Sequence, residues 1–122
     1  MIQLRSILKP ADNSGAKKLM VIGIPGYSKK YTISLGGLVV CVVDQADPEG
    51  IVKDSEIVKA VIVRVRKEVG RPNGTYVRFD DNAAVVVNND GVPRGTRIFG
   101  PVAREVRNKG FAKIASMAKE LV

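Results

Sequence analysis

Ile57-Val58-Lys59-Ala60-Val61-Ile62-Val63-Arg64-Val65-Arg66 is the stretch on which the fold turns. Its β-branched residues and period-two pattern predict a strand. Alternation puts Val61, Val63 and Val65 on one face and Ala60, Ile62, Arg64 and Arg66 on the other. The second face begins apolar and ends cationic. That pattern predicts a strand that leaves a core and runs out along a charged ligand. Arg71-Pro72-Asn73-Gly74 follows as a tight turn, because Pro72 sets φ and Asn73 or Gly74 tolerates the left-handed region. Thr75 to Phe79 then returns, with Tyr76 and Arg78 on one face and Val77 and Phe79 on the other.

Outward from this hairpin, Ala83 to Val87 reads as a buried strand closed by Asn89-Asp90-Gly91. Upstream, Met1 to Leu8 is a short strand, and Asp12-Asn13-Ser14-Gly15 is a turn cluster. Leu19 to Ile24 ends at Pro25-Gly26, and Tyr27 to Ile33 reads as an exposed ribbon or loop. Leu38 to Val43, short and rich in Val, favours a buried strand over a helix. The chain changes character after Pro93. Gly100-Pro101 suits a helix start, Val102 and Val106 share one face, and Arg104 and Arg107 share another. Gly110 suits a stop, and Phe111, Ile114, Ala118 and Leu121 form a second helical stripe with Lys113 and Glu120 opposite. The expected fold is mainly β: a small barrel followed by two short α-helices.

The 122 residues suit one domain, 1–122, with a barrel over roughly 1–92 and a C-terminal loop with short helices over roughly 93–122. One Cys excludes an internal disulfide and a thiolate zinc cluster, and zero His removes the usual parts of zinc hydrolysis and of Ser-His-Asp or Cys-His chemistry. Cys41 lies in an apolar run and reads as an inert core residue. Asp80-Asp81 and the pair Asp44 and Asp47 read as turn residues. Gly95 to Gly100 lacks the Lys-Ser/Thr ending of a phosphate loop. No cofactor, metal or small-molecule substrate is expected. The longest uninterrupted apolar run falls far short of the ~20 residues that span a bilayer, and the opening residues lack a signal-peptide stretch.

The net charge of +8 is unevenly placed. Residues 1–60 carry +2 and residues 61–122 carry +6. Arg64 to Arg78 holds five cations against Glu68, and Arg94 to Lys113 holds six against Glu105. Arg can bind phosphate bidentately and stack on a base. Two such clusters beside turns are the electrostatic footprint of a nucleic-acid face. Phe79, Phe99 and Phe111 are expected in the core. No RNP-like aromatic cluster exists, so folded RNA bound through phosphate and shape fits better than base-by-base reading of a single strand. The residues leave DNA open.

The blocks Ala11-Asp12-Asn13-Ser14-Gly15-Ala16, Lys59 to Arg64, Arg78-Phe79-Asp80, Asn82 to Gly91 and Pro93 to Glu105 closely resemble the universal large-subunit ribosomal protein L-fourteen family. The resemblance runs in order along essentially the whole chain. Gly37 stands where that family often has Asp, and Lys119 where Pro is common. The resemblance implies a five-stranded barrel with a projecting β-ribbon, and direct binding of large-subunit rRNA. It further implies bridges to small-subunit rRNA, clustering with ribosomal proteins L-three and, in bacteria, L-nineteen, and docking of a ribosome-silencing factor. Candidate rRNA contacts are then Lys9, Lys17, Lys18, Lys29, Lys30, Arg64, Arg66, Lys67, Arg71, Arg78, Arg94, Arg104, Arg107 and Lys109. Thr96, Arg97 and Lys113 match the face turned to the other subunit. The implied location is the ribosome, cytoplasmic or organellar. A free basic barrel that binds nucleic acid is the alternative that the residues alone leave open.

Overall fold

The computed structural model describes residues 2–25 and 32–122. Its strands are β1 (Ile2–Gln3), β2 (Ile7–Pro10), β3 (Ala16–Gly23), β4 (Thr32–Ile33), β5 (Leu38–Ala46), β6 (Ile57–Arg64), β7 (Val69–Gly70), β8 (Tyr76–Val77) and β9 (Ala83–Val87). Two short helices follow, α1 (Arg104–Asn108) and α2 (Ala112–Met117). Strands β2, β3, β5, β6 and β9 close into a barrel in that order. All neighbours are antiparallel except β2 and β9, which pair in parallel through Lys9 with Ala83 and Pro10 with Ala84. Closure removes the free sheet edges along which short strands otherwise aggregate. The pairs β1–β4 and β7–β8 are two-stranded ribbons outside the barrel.

Period-two alternation sorts the barrel residues. Leu8, Leu19, Val21, Val39, Cys41, Val43, Val58, Ala60, Ile62, Ala84 and Val86 fill the interior. Burial pushes the Cys41 thiol up to about 12, so it is a packing residue with no thiolate to offer. On the outside of β6 and β9, Val61, Val63, Ala83, Val85 and Val87 meet Ile98, Val102, Val106 and Ile114 of the C-terminal segment. Both faces of β9 are therefore buried, which explains its unbroken apolar run. Among the described residues the opposite wall has no such cover. There Ile7 pairs with Met20, Met20 with Val42, and Val42 with Ile57, an apolar row across four strands. Ile7 is 49% and Ile57 66% exposed.

A bulge in β6 changes the expected faces. Pairing with β9 steps from Ile62↔Ala84 to Arg64↔Ala83, two residues against one. Val63 and Arg64 both turn outward, and Val65 returns to the interior cluster with Ala60 and Ile62. Val65 thus leaves the face predicted for it, beside Val61 and Val63. Arg64 is not the start of an outward cationic edge either; it is 7% exposed.

The expected first helix also begins later. Gly100 has φ +79°, and the helix starts at Arg104 after an extended Ala103. Val102 forms a bridge with Leu121 instead of a helical turn. The Phe99 and Pro101 carbonyls accept from Arg64 Nη1 at 2.8 and 3.0 Å, which fixes the course of this stretch on either side of the bend at Gly100. A Cβ at Gly100 would overlap the Arg64 guanidinium. The second helix stops at Met117, yet Phe111, Ile114, Ala118 and Leu121 still pack on one cluster, because the chain after Met117 runs back along Val102. Gly37, where the family often carries Asp, lies where a Cβ would overlap Ile33, so Ile33 fills the space that a side chain would take.

Val85 is fully buried between the barrel and its helical cover. Val85→Ala should cost about 1–3 kcal/mol, from lost transfer energy and a small cavity. Urea unfolding of the free protein measures it, and an unchanged midpoint would contradict the two-sided burial.

Candidate nucleic-acid interface

Two local devices lay the C-terminal segment across the barrel. The first is the turn Asp12–Gly15. The Asp12 carboxylate is buried and accepts from Ser14 N–H at 3.3 Å, Ser14 Oγ–H at 2.7 Å and Val86 N–H at 2.9 Å. Burial raises its pKa above the ordinary carboxylate value, against the lowering effect of these bonds. The exposed Asn13 Oδ1 accepts from the Thr96 and Arg97 amides at 2.8 and 3.0 Å, and Asn13 Nδ2 donates to Thr96 Oγ1 at 2.7 Å. The Ser14 carbonyl accepts from Ile51 and Val52 N–H. Gly15 has φ +95°, and a Cβ there would sit 2.6 Å from the Gly50 Cα. Four consecutive residues thus stitch three distant segments together.

The second device is Arg64. Its Nε donates to Asp81 Oδ1 at 2.9 Å while Nη1 takes the two carbonyls already described. Burying a guanidinium is tolerable only with such pairing. Arg71 and Arg94 are also engaged. Arg71 Nη2 donates to Glu105 Oε1 at 2.8 Å and to the Val122 carbonyl at 2.7 Å. Arg94 Nη1 donates to Glu56 Oε2 at 2.7 Å and holds the Glu56 pKa below its usual value. Of the predicted cations, these three act first as struts, and Arg64 spends its Nε, Nη1 and Nη2 groups on Asp81 and the two carbonyls.

The remaining predicted cations among the described residues are exposed. Lys9, Lys17, Lys18 and Arg66 line a shallow groove beside Asp80, Asp81 and Asn82. Asn82 shapes it by accepting from Arg66 N–H at 2.8 Å through Oδ1 and from Lys9 N–H at 2.9 Å through its carbonyl. Lys9 and Asp81 continue into a second hollow with Arg78, Phe79, Phe99 and Pro101. Beyond Phe99 lies a third, with Thr96, Arg97, Met117 and Lys119. These hollows share lining residues and make one basic track over the barrel end. Lys67 is exposed on the chain leading to the β7–β8 ribbon, and Arg104, Arg107 and Lys109 are exposed on and just after α1. Lys113 is exposed on α2, outside the hollow of Thr96 and Arg97. Lys29 and Lys30 lie outside the described residues.

Phe99 departs from the expected core position and is 51% exposed. Ile98 takes the buried seat, and neighbours in an extended chain point to opposite sides. That alternation is the signal in the sequence that singles out Phe99 as a ring available to a base. Asn13 has no such signal, because its role as a brace exists only once residues 94–98 lie across it. Among the described residues, no group of three His, Cys, Asp or Glu is placed to hold a metal ion. Asp47 Oδ1 accepts from Glu49 N–H, and Asp81 pairs with Arg64, so these carboxylates serve structure.

A closed five-stranded barrel with a cationic surface track and a helical cover defines a small basic β-barrel protein. A model of the family described as Ribosomal protein L14p/L23e matches residues 1–122. The large ribosomal subunit protein uL14 of Aquifex aeolicus is 57% identical over 122 residues, covering all of both chains. The chain belongs to the ribosomal protein L14p/L23e family.

Asn13→Ala should release the Thr96 and Arg97 amides. Hydrogen exchange at those two positions should quicken by about tenfold while β6 and β9 amides stay protected. Unaltered exchange at Thr96 and Arg97 would remove Asn13 as the brace.

Proposed function

We propose that this protein is a structural constituent of the large ribosomal subunit that binds rRNA directly and helps bridge to the small subunit. Full-length 57% identity to a large-subunit protein is the observation that carries this reading. The mechanism follows from the rigid barrel. Lys9, Lys17, Lys18, Arg66 and Arg78 meet phosphates along the track, and release of condensed counterions supplies much of the affinity. The buried struts keep these cations in register. Thr96, Arg97 and Lys113 form the face turned to small-subunit rRNA and to a ribosome-silencing factor. Neighbouring ribosomal proteins, L-three and in bacteria L-nineteen, belong to the same reading. The uncovered apolar row Ile7, Met20, Val42 and Ile57 supports a protein neighbour, because it carries no charge for a phosphate.

Filter binding to protein-free large-subunit rRNA across a salt series tests the phosphate track. Arg66→Glu with Arg78→Glu should weaken binding and reduce the salt slope by on the order of 1–2. Both residues are exposed, so the unfolding midpoint should hold. An unchanged slope would contradict the track. Arg97→Glu with Lys113→Glu should leave folding and large-subunit assembly intact while impairing small-subunit association or silencing-factor capture through local charge reversal. Normal behaviour in both assays, with the variant present in full amount, would sink the interface assignment.

A further inference from the structure

We propose that the cleft between the β7–β8 ribbon and α1 seats one unstacked nucleotide of the bound RNA, an inference that rests on the RNA-binding reading and specifies a site within it. The cleft encloses about 460 Å³, within the roughly 300–1,000 Å³ of small-ligand sites. Its floor is apolar, formed by Leu35, 3% exposed, and by Val69. Ser34 also lines it, and the Ser34 hydroxyl is buried with no hydrogen-bond partner among the described residues. A buried hydroxyl left unmatched is costly, and Ser34 belongs to the lining of this cleft.

The walls add the groups that a base requires. Arg71 lines the cleft and is held by Glu105 and by the Val122 carbonyl, so its guanidinium plane is pre-oriented. Arg planes stack on bases where aromatic rings are lacking. Two amides line the same cleft, Asn73 and Asn108. Asn73 Oδ1 already accepts from Thr75 N–H and Oγ–H, which orients the amide and leaves its NH₂ free to donate to a base edge. Asn108 makes no side-chain hydrogen bond among the described residues. At the rim, Arg104 and Lys109 are exposed and unpaired among the described residues, placed for the flanking phosphates. An apolar floor, a fixed planar cation, two amides and rim cations together fit a nucleotide better than a phosphate alone.

The full-length ¹⁵N-labelled protein is titrated with single-stranded RNA tetramers of each base, and separately with ribose 5-phosphate. RNA should move the Leu35, Asn73 and Asn108 amides saturably, whereas ribose 5-phosphate should move only signals near Arg104 and Lys109. Asn73→Ala with Asn108→Ala should weaken tetramer binding about tenfold and leave the salt slope for full rRNA unchanged, because no phosphate contact is lost. Shifts confined to the rim, equal for RNA and ribose 5-phosphate, would overturn the nucleotide seat while leaving rRNA binding intact. So would the absence of any tetramer-dependent shift. Failure of the RNA-binding reading itself would appear as loss of salt-dependent binding to full rRNA in the unaltered protein.

Discussion

The guanidinium of Arg64 joins the two parts of this molecule. It leaves β6 at a bulge, pairs with Asp81 and takes the carbonyls of Phe99 and Pro101. A buried cation in a nearly all-valine wall would be prohibitive if unpaired. Here every bond it makes reaches across the fold, to the loop before β9 and to the segment that leads into the helices. The interaction therefore selects one path for that segment. It fixes the non-helical course of residues 99–101 and crowds out a side chain at Gly100, and α1 starts only at Arg104.

The path so chosen decides which surface is covered. The C-terminal segment packs Ile98, Val102, Val106 and Ile114 onto β6 and β9 and leaves the outer faces of β2, β3 and β5 open. Strands buried on both sides can be apolar throughout, as β9 is. On the open side the apolar row from Ile7 to Ile57 sits beside Lys18 and Lys59, so one small barrel carries both cationic and uncovered apolar surface. Asn13 and Asp12 complete the arrangement from below, bonding the 94–98 segment and β9 to a single tight turn. Rigidity of this kind matters for binding through shape, because phosphate contacts position a protein only as well as its own frame holds them.

Much of this was legible in the amino-acid sequence. Short apolar runs between Gly, Pro and Asn clusters announced the barrel strands, since a strand buried inside a barrel needs apolar side chains at every second position. The turn at Arg71–Gly74 and the alternation of Tyr76, Val77, Arg78 and Phe79 followed from local stereochemistry. The family blocks pointed to the ribosome. The net excess of cations in residues 61–122 was legible as well, because charge is a property of composition and needs no fold.

Only the tertiary structure sorted those cations. Arg64, Arg71 and Arg94 look in the sequence like Arg66, Arg78 and Arg104. The first three find carboxylates or carbonyls 17 to 51 residues away, and among the described residues the others do not. The bulge that reverses Val65 and turns Arg64 outward rests on pairing with β9, a partner that periodicity within β6 cannot report. Exposure of Phe99 and the bracing role of Asn13 likewise depend on where a distant segment lies. Local propensity and charge are written in neighbouring residues. The allocation of a particular arginine to a strut or to a ligand is made by contacts between segments far apart in the chain.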